Sequence, residues 1–289
     1  MKCPVILILA VLFAGDLRVE AEDSPLHVGL RRSSYGLRAK NAGHAWWAEQ
    51  TKRFAAHFPG SVPTIIEVVS THQDDGTTRF GFTLPDNETG PVTDMRFARG
   101  RLDHEKALAE YDRQGVKAIL QVEPGSADMV RCLQLVHRQF GTHPCVIGLG
   151  LDAEWFFTKQ SPKKEGRPIT DEEAKAWLEA TVALNPKYTL FLKHFSWKHM
   201  PPKYRHPQLW FLDDSQQFHS ADQFLNDFKG WAKHFPDSTV GYQFGYKADR
   251  AWCSNLSDPP QTLGMRLRAS IPKTGYLFRV DFTADQVNF

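Results

Sequence analysis

Two carboxylates two positions apart, Asp152 and Glu154, close a short apolar run, Val146–Leu151. An uncharged run of that length, preceded by His143-Pro144, reads as a buried strand. Side chains two apart on a strand share a face, so both carboxylates point the same way, with Gly148 and Gly150 behind them. If that face lines a barrel, the glycines lie deep and the carboxylates at the mouth. Like charges this close push their pKa values apart, which readies one of them as a general acid.

Other apolar runs end similarly. Strands are expected at His27–Leu30, Thr64–Val69, Lys117–Val122, Val146–Leu151, Tyr188–Leu192, Leu209–Leu212, Val240–Phe244 and Tyr276–Val280. Helical signals lie between them. Ala45–Phe58 stops at Pro59-Gly60, Asp103 opens a helix ending at Gln114-Gly115, and Ser126–Phe140 follows. Thr170-Asp-Glu-Glu173 and Ser220-Ala-Asp-Gln223 are capping boxes. Phe224, Leu225, Phe228, Trp231 and Phe235 form one helical stripe, read as core packing. Pro259-Pro260 opens a last helix to about Ser270.

This alternation predicts an α/β fold, a (β/α)8 TIM-type barrel, as a single domain over 22–289. Two departures are expected. The proline-rich stretch from Ser196 to Gln208 is too short for a regular crossover after strand five, and little chain follows Asp281 for a full eighth helix. Between Ser70 and Arg101 runs a long connection, with Arg79–Leu84 as an extra strand or half a hairpin.

In such barrels the C-terminal strand ends form the active site. Those ends carry His72, Glu123, Asp152 with Glu154, Lys193 with His194, Asp213 in Asp213-Asp214-Ser215, Gln243 with Tyr246, and Asp281. Trp155, Trp197 and Tyr246 lie just past strand ends, where an aromatic ring can stack on a pyranose face.

Asp152-x-Glu154 at the end of an apparent fourth barrel strand resembles the family 18 chitinases, and is similar to the carboxylate pair of the family 25 lysozymes. The chitinase pattern is D-x-x-D-x-D-x-E. This chain keeps its last Asp and Glu, with Ile147 and Gly150 at the two earlier Asp positions. The resemblance implies a glycoside hydrolase with Glu154 as proton donor and Asp152 as its partner, holding a 2-acetamido group that attacks the anomeric carbon. A substrate without that group needs a second carboxylate across the mouth; Asp213 is the first candidate, then Glu123. Trp155, His72, His194, Lys193, Gln243, Tyr246 and Asp281 are the candidate substrate-binding residues. No cofactor and no metal are implied.

Lys2 precedes an apolar run from Val5 to Ala14, and Val19-Glu20-Ala21 offers a cleavage site. Residues 1–21 therefore read as a signal peptide and the mature protein as secreted. The leader's charges cancel, so the mature chain keeps the formal net charge of +2. That is no basis for nucleic-acid or membrane-surface binding; a carbohydrate partner is what the resemblance implies. Cys132, Cys145 and Cys253 allow at most one internal disulfide. Asn87-Glu-Thr and Asn255-Leu-Ser are glycosylation sequons.

Two other classes fit the same residues. A non-catalytic secreted barrel can hold a glycan or peptide in its mouth. A metal-dependent hydrolase can draw on His72, His194, Asp152 and Asp213, although no tightly spaced ligand pair is present. An open cleft at Glu154 favours the enzyme; burial of Glu154 against Lys193 or an arginine favours a structural role.

Overall fold

Alternation of buried β-branched and aromatic runs with capped amphipathic segments produces a closed eight-stranded parallel barrel. The computed structural model describes residues 25–34, 36, 42–98, 103–157 and 166–285; the expected leader lies outside them. Going round, the barrel runs β1 (His27–Arg32), β2 (Val62–Val68), β6 (Lys117–Val122), β7 (Val146–Asp152), β8 (Thr189–Lys193), β9 (Leu209–Asp213), β10 (Val240–Phe244) and β11 (Thr274–Val280), and β11 pairs back onto β1. Three short strands, β3 (Ser70–His72), β4 (Thr78–Phe80) and β5 (Met95–Phe97), form a separate sheet after β2, with β3 and β4 antiparallel. The connection expected to hold one extra strand or half a hairpin thus holds a full hairpin and a third strand.

Helices α1 (His44–Ala56), α2 (His104–Gln114), α3 (Met129–Phe140), α4 (Asp171–Leu184), α5 (Ala221–Ala232), the short α6 (Arg250–Cys253) and α7 (Pro259–Ser270) surround it. After β8 the chain makes only a 3-10 turn, Trp197–His199, and another, Asp281–Thr283, follows β11. The thin crossover after the fifth barrel strand is therefore present as expected. Among the described residues no helix is long and apolar enough to cross a membrane.

Strand alternation divides the apolar residues between two layers. Ile66, Ile119, Phe191, Trp210, Leu212, Tyr276 and Phe278 fill the barrel interior, with Trp210 stacked on Tyr276 at 3.6 Å. Their neighbours Ile65, Leu120, Leu190, Phe211 and Leu277 face outward, under the helices. Phe224, Phe228, Trp231 and Phe235 join that outer core, as the helical stripe predicts. The interior needs its glycines: a Cβ on Gly150 would stand 2.1 Å from the Phe191 ring.

Local signals were partly misread. Asp103 makes no capping hydrogen bond; its backbone is already helical. Asp128, not Ser126, caps α3, accepting from Arg131 N–H at 2.7 Å. Thr170 and Glu173 form the full capping box. Ser220 caps α5, but Gln223 reaches back to His219 N–H instead of the cap residue. Cys132, Cys145 and Cys253 are all free and buried, so the one-disulfide option is not realised among the described residues.

Candidate active site

At the C-terminal end of the barrel, inward-facing positions change from apolar to ionisable. Phe191 is followed on its face by Lys193, Leu212 by Asp214, and Gly150 by Asp152. The stretch from Ala153 to Trp155 turns into 3-10 helix, so Glu154 is not on a strand as expected. That turn nevertheless delivers its carboxylate beside Asp152.

Lys193 organises the group. Its ammonium donates to Glu154 Oε1 at 2.8 Å and lies 3.0 Å from Asp152 Oδ2. It also donates to Asp214 Oδ2 in a close contact. Three N–H donors thereby meet three carboxylates. Arg31, from β1, holds the other half of the mouth. Its guanidinium lies 3.5 Å from Glu123 and 3.7 Å from Asp152, and donates to Gln121 Oε1 at 3.3 Å. Gln121 Nε2 donates in turn to Asp152 Oδ2 at 3.2 Å. Tyr246 donates to Asp214 at 3.3 Å and accepts from the Gln243 amide.

Four carboxyls, Glu123, Asp152, Glu154 and Asp214, thus face two cations in a site largely shut off from water. All four cannot ionise cheaply there. Burial, reinforced by Glu154 and Glu123 against the pull of Lys193, pushes Asp152 up to about 7. Burial and the neighbouring Glu154 charge push Asp214 well above the usual carboxylate range. Burial also opposes ionisation of Glu154, but the Lys193 ammonium and a hydrogen bond from Asp214 outweigh it and hold Glu154 down at about 2. Lys193, despite its burial, is raised by the three carboxylates and stays charged. The arrangement therefore favours protons on Asp152 and Asp214 and the charge on Glu154. Glu154 is also the most open: 21% of its side chain is exposed, against 1% for Asp152 and 5% for Asp214.

The other expected site residues fall into two groups. Glu123 is in the mouth and accepts from His72 N–H at 3.3 Å. The His72 ring stacks on Trp155 at 3.7 Å, so both line the same side of the opening. Gln243, Tyr246 and Lys193 are in the mouth. Asp213 is not: it shares the outward face of Phe211, is fully buried, and takes two bonds from Ser215. The carboxylate across the mouth is Asp214. Asp281 is clamped by Ser33, through N–H at 2.7 Å and hydroxyl at 2.9 Å. His194 accepts from Ser196 N–H and stacks on His199. Among the described residues no group of three or more His, Cys, Asp and Glu is arranged to hold a metal ion.

Sequence reasoning missed Arg31, Gln121 and Asp214. Ending the first strand at Leu30 left Arg31 out. Gln121 has the parity of Glu123, and Asp214 that of Trp210 and Leu212, so alternation alone pointed to both.

The fold is a closed (β/α)8 barrel with its ionisable cluster at the strand ends. GH5_18 from Streptomyces cattleya, solved in complex with Manb1-4GlcNAc, aligns over 89% of this chain and 70% of its own, with TM-score 0.51 and 12% identity. The beta-D-glucuronidase of Dictyoglomus thermophilum aligns over 89% of this chain with TM-score 0.49 and 8% identity. The Bacteroides uniformis beta-glucuronidase does so at 0.48 and 12%. The chain spans only 44% and 30% of those two proteins. The likeness to GH5_18 shows the shared barrel fold; neither family 18 nor family 25 is among the relatives named. No protein-family profile and no curated protein sequence matches the chain.

Proposed function

We propose that the protein is a secreted glycoside hydrolase acting on an oligo- or polysaccharide by carboxylate chemistry in the barrel mouth. One observation carries this reading: a single ammonium gathers three carboxyls in the barrel mouth, Glu154 the most accessible and held low, Asp152 and Asp214 buried and pushed up. A glycosidase needs both states side by side.

The expected roles are reversed by Lys193. Glu154 is too acidic to be the donor at neutral pH, so the proton comes from Asp214. In the proposed step Asp214 protonates the leaving oxygen as the anomeric C–O bond breaks, and Glu154 bonds to, or stabilises, the anomeric carbon. Water then replaces the enzyme at that carbon and returns a proton to Asp214. Among the described residues Asp152 Oδ1 and Gln243 Oε1 are buried polar atoms without a hydrogen-bond partner, which sugar hydroxyls would satisfy.

The test is a screen of purified protein against chitin, peptidoglycan, plant and algal polysaccharides and aryl glycosides. Glu154→Gln should lower turnover by roughly 10²–10⁴-fold on every substrate, and Asp214→Asn chiefly on unactivated ones. Full activity of Glu154→Gln would end the assignment. A second reading, a non-catalytic glycan-binding barrel, is favoured by the Glu154–Lys193 contact itself, since that pairing neutralises the carboxylate. Glycan binding without turnover would support it. Export rests on the leader alone, and N-terminal sequencing of secreted material should begin at Glu22.

A further inference from the structure

Among the described residues three large apolar side chains are strongly exposed: Phe195, Trp197 and Met265. Two of them lie two residues apart, directly after Lys193. Scattered exposed apolar residues need no explanation, but a cluster beside a polar mouth marks a binding surface.

The local structure holds both rings in place. The Ser215 hydroxyl, next to Asp214, lies 3.4 Å from the Phe195 carbonyl, which sets that loop beside the mouth rim. Phe195 packs against His194 at 4.4 Å between ring centres. Trp197 opens the 3-10 turn that replaces a crossover helix, and its ring lies flat on His234 at 3.7 Å and 13°. It is 41% exposed and lines a cleft with Ile169, Glu172, Met200 and Pro202. That cleft lies between the start of α4 and the end of α5, where the chain makes only a 3-10 turn. A buttressed aromatic ring in a cleft with polar edges suits the apolar face and hydroxyl rim of a sugar better than a wholly apolar partner.

We propose that Phe195 and Trp197 form an aromatic track leading from the barrel mouth to the side cleft, and that it binds successive sugar units of an extended polysaccharide. The inference rests on the carbohydrate reading of the mouth and narrows the ligand to a polymer. Four residues separate Lys193 from Trp197, a reach of at most about 14 Å, so one glycan chain can occupy both places. Occupying both at once strengthens polymer binding without affecting short ligands.

The experiment is affinity electrophoresis and calorimetry of the full protein with glycol chitin, laminarin, xylan, mannan and alginate, each beside its disaccharide. Wild type should bind at least one polymer. Trp197→Ala and Phe195→Ala should each weaken that binding by about 3–10-fold, leaving disaccharide affinity and thermal midpoint unchanged. Trp197→Phe should restore most of it. Unchanged polymer affinity in the double alanine variant, or no polymer bound by wild type, overturns the track. The two proposals fail separately. Track-dependent polymer binding without any turnover removes the hydrolase reading alone. Hydrolysis of aryl glycosides with no effect of Trp197→Ala removes the track alone.

Discussion

Lys193 is the residue on which the chemistry turns, because it decides where the protons of the mouth reside. Asp152 keeps its proton in the folded protein up to about pH 7, against an ordinary 3.8. A raised carboxyl contributes its full stability below 3.8 and loses it as pH climbs to about 7. Glu154 has the opposite sign: its contribution is present above 4.5 and is lost as pH falls towards about 2. The two contributions overlap near pH 4–5, roughly, where this cluster favours folding most. Thermal midpoints of wild type and Asp152→Asn across pH 3–8 should therefore differ in shape. The variant should lack part of the wild-type decline between about 4 and 7. Parallel curves would show that the Asp152 pKa is the same in the folded and unfolded states.

At the scale of elements, β7 does two jobs with one alternation. Its inward face runs from Gly148 and Gly150 to Asp152, leaving room below for the Phe191 ring and placing charge above. Gly150→Ala would force a methyl into that ring and should destabilise the fold by about 1–3 kcal/mol, measured by denaturant unfolding. A loss below about 0.5 kcal/mol would mean the interior is looser than described. This part of the design was legible in the sequence, because period-two alternation is a local signal. Asp213 against Asp214 was not read correctly, since both follow the same apolar run and only counting back to Trp210 separates inward from outward. Glu154 defeated the strand argument differently: the backbone leaves β geometry after Asp152, and nothing in Ala153-Glu154-Trp155 announces a 3-10 turn.

For the whole molecule, the eight-strand count, the order of the strands and the thin crossover after the fifth were readable from apolar runs and their breakers. The interaction of distant strand ends was not. Arg31, Lys193 and Asp214 come from β1, β8 and the end of β9, and their meeting follows from barrel closure, which no local pattern encodes. The proline-rich stretch from Ser196 to Gln208 shows the same limit: it predicts a missing helix, but not the cleft beside it.

The division of protons among the mouth carboxyls is most directly tested by carbon NMR of protein labelled at its Asp and Glu carboxyls, titrated from pH 2 to 9, with Glu154→Gln, Asp152→Asn and Asp214→Asn to assign signals. The account predicts that Glu154 remains ionised down to about pH 2, that Asp152 titrates near 7, and that Asp214 stays protonated through neutral pH. Glu154 titrating at or above its ordinary 4.5, with Asp152 and Asp214 already ionised at that pH, would contradict it.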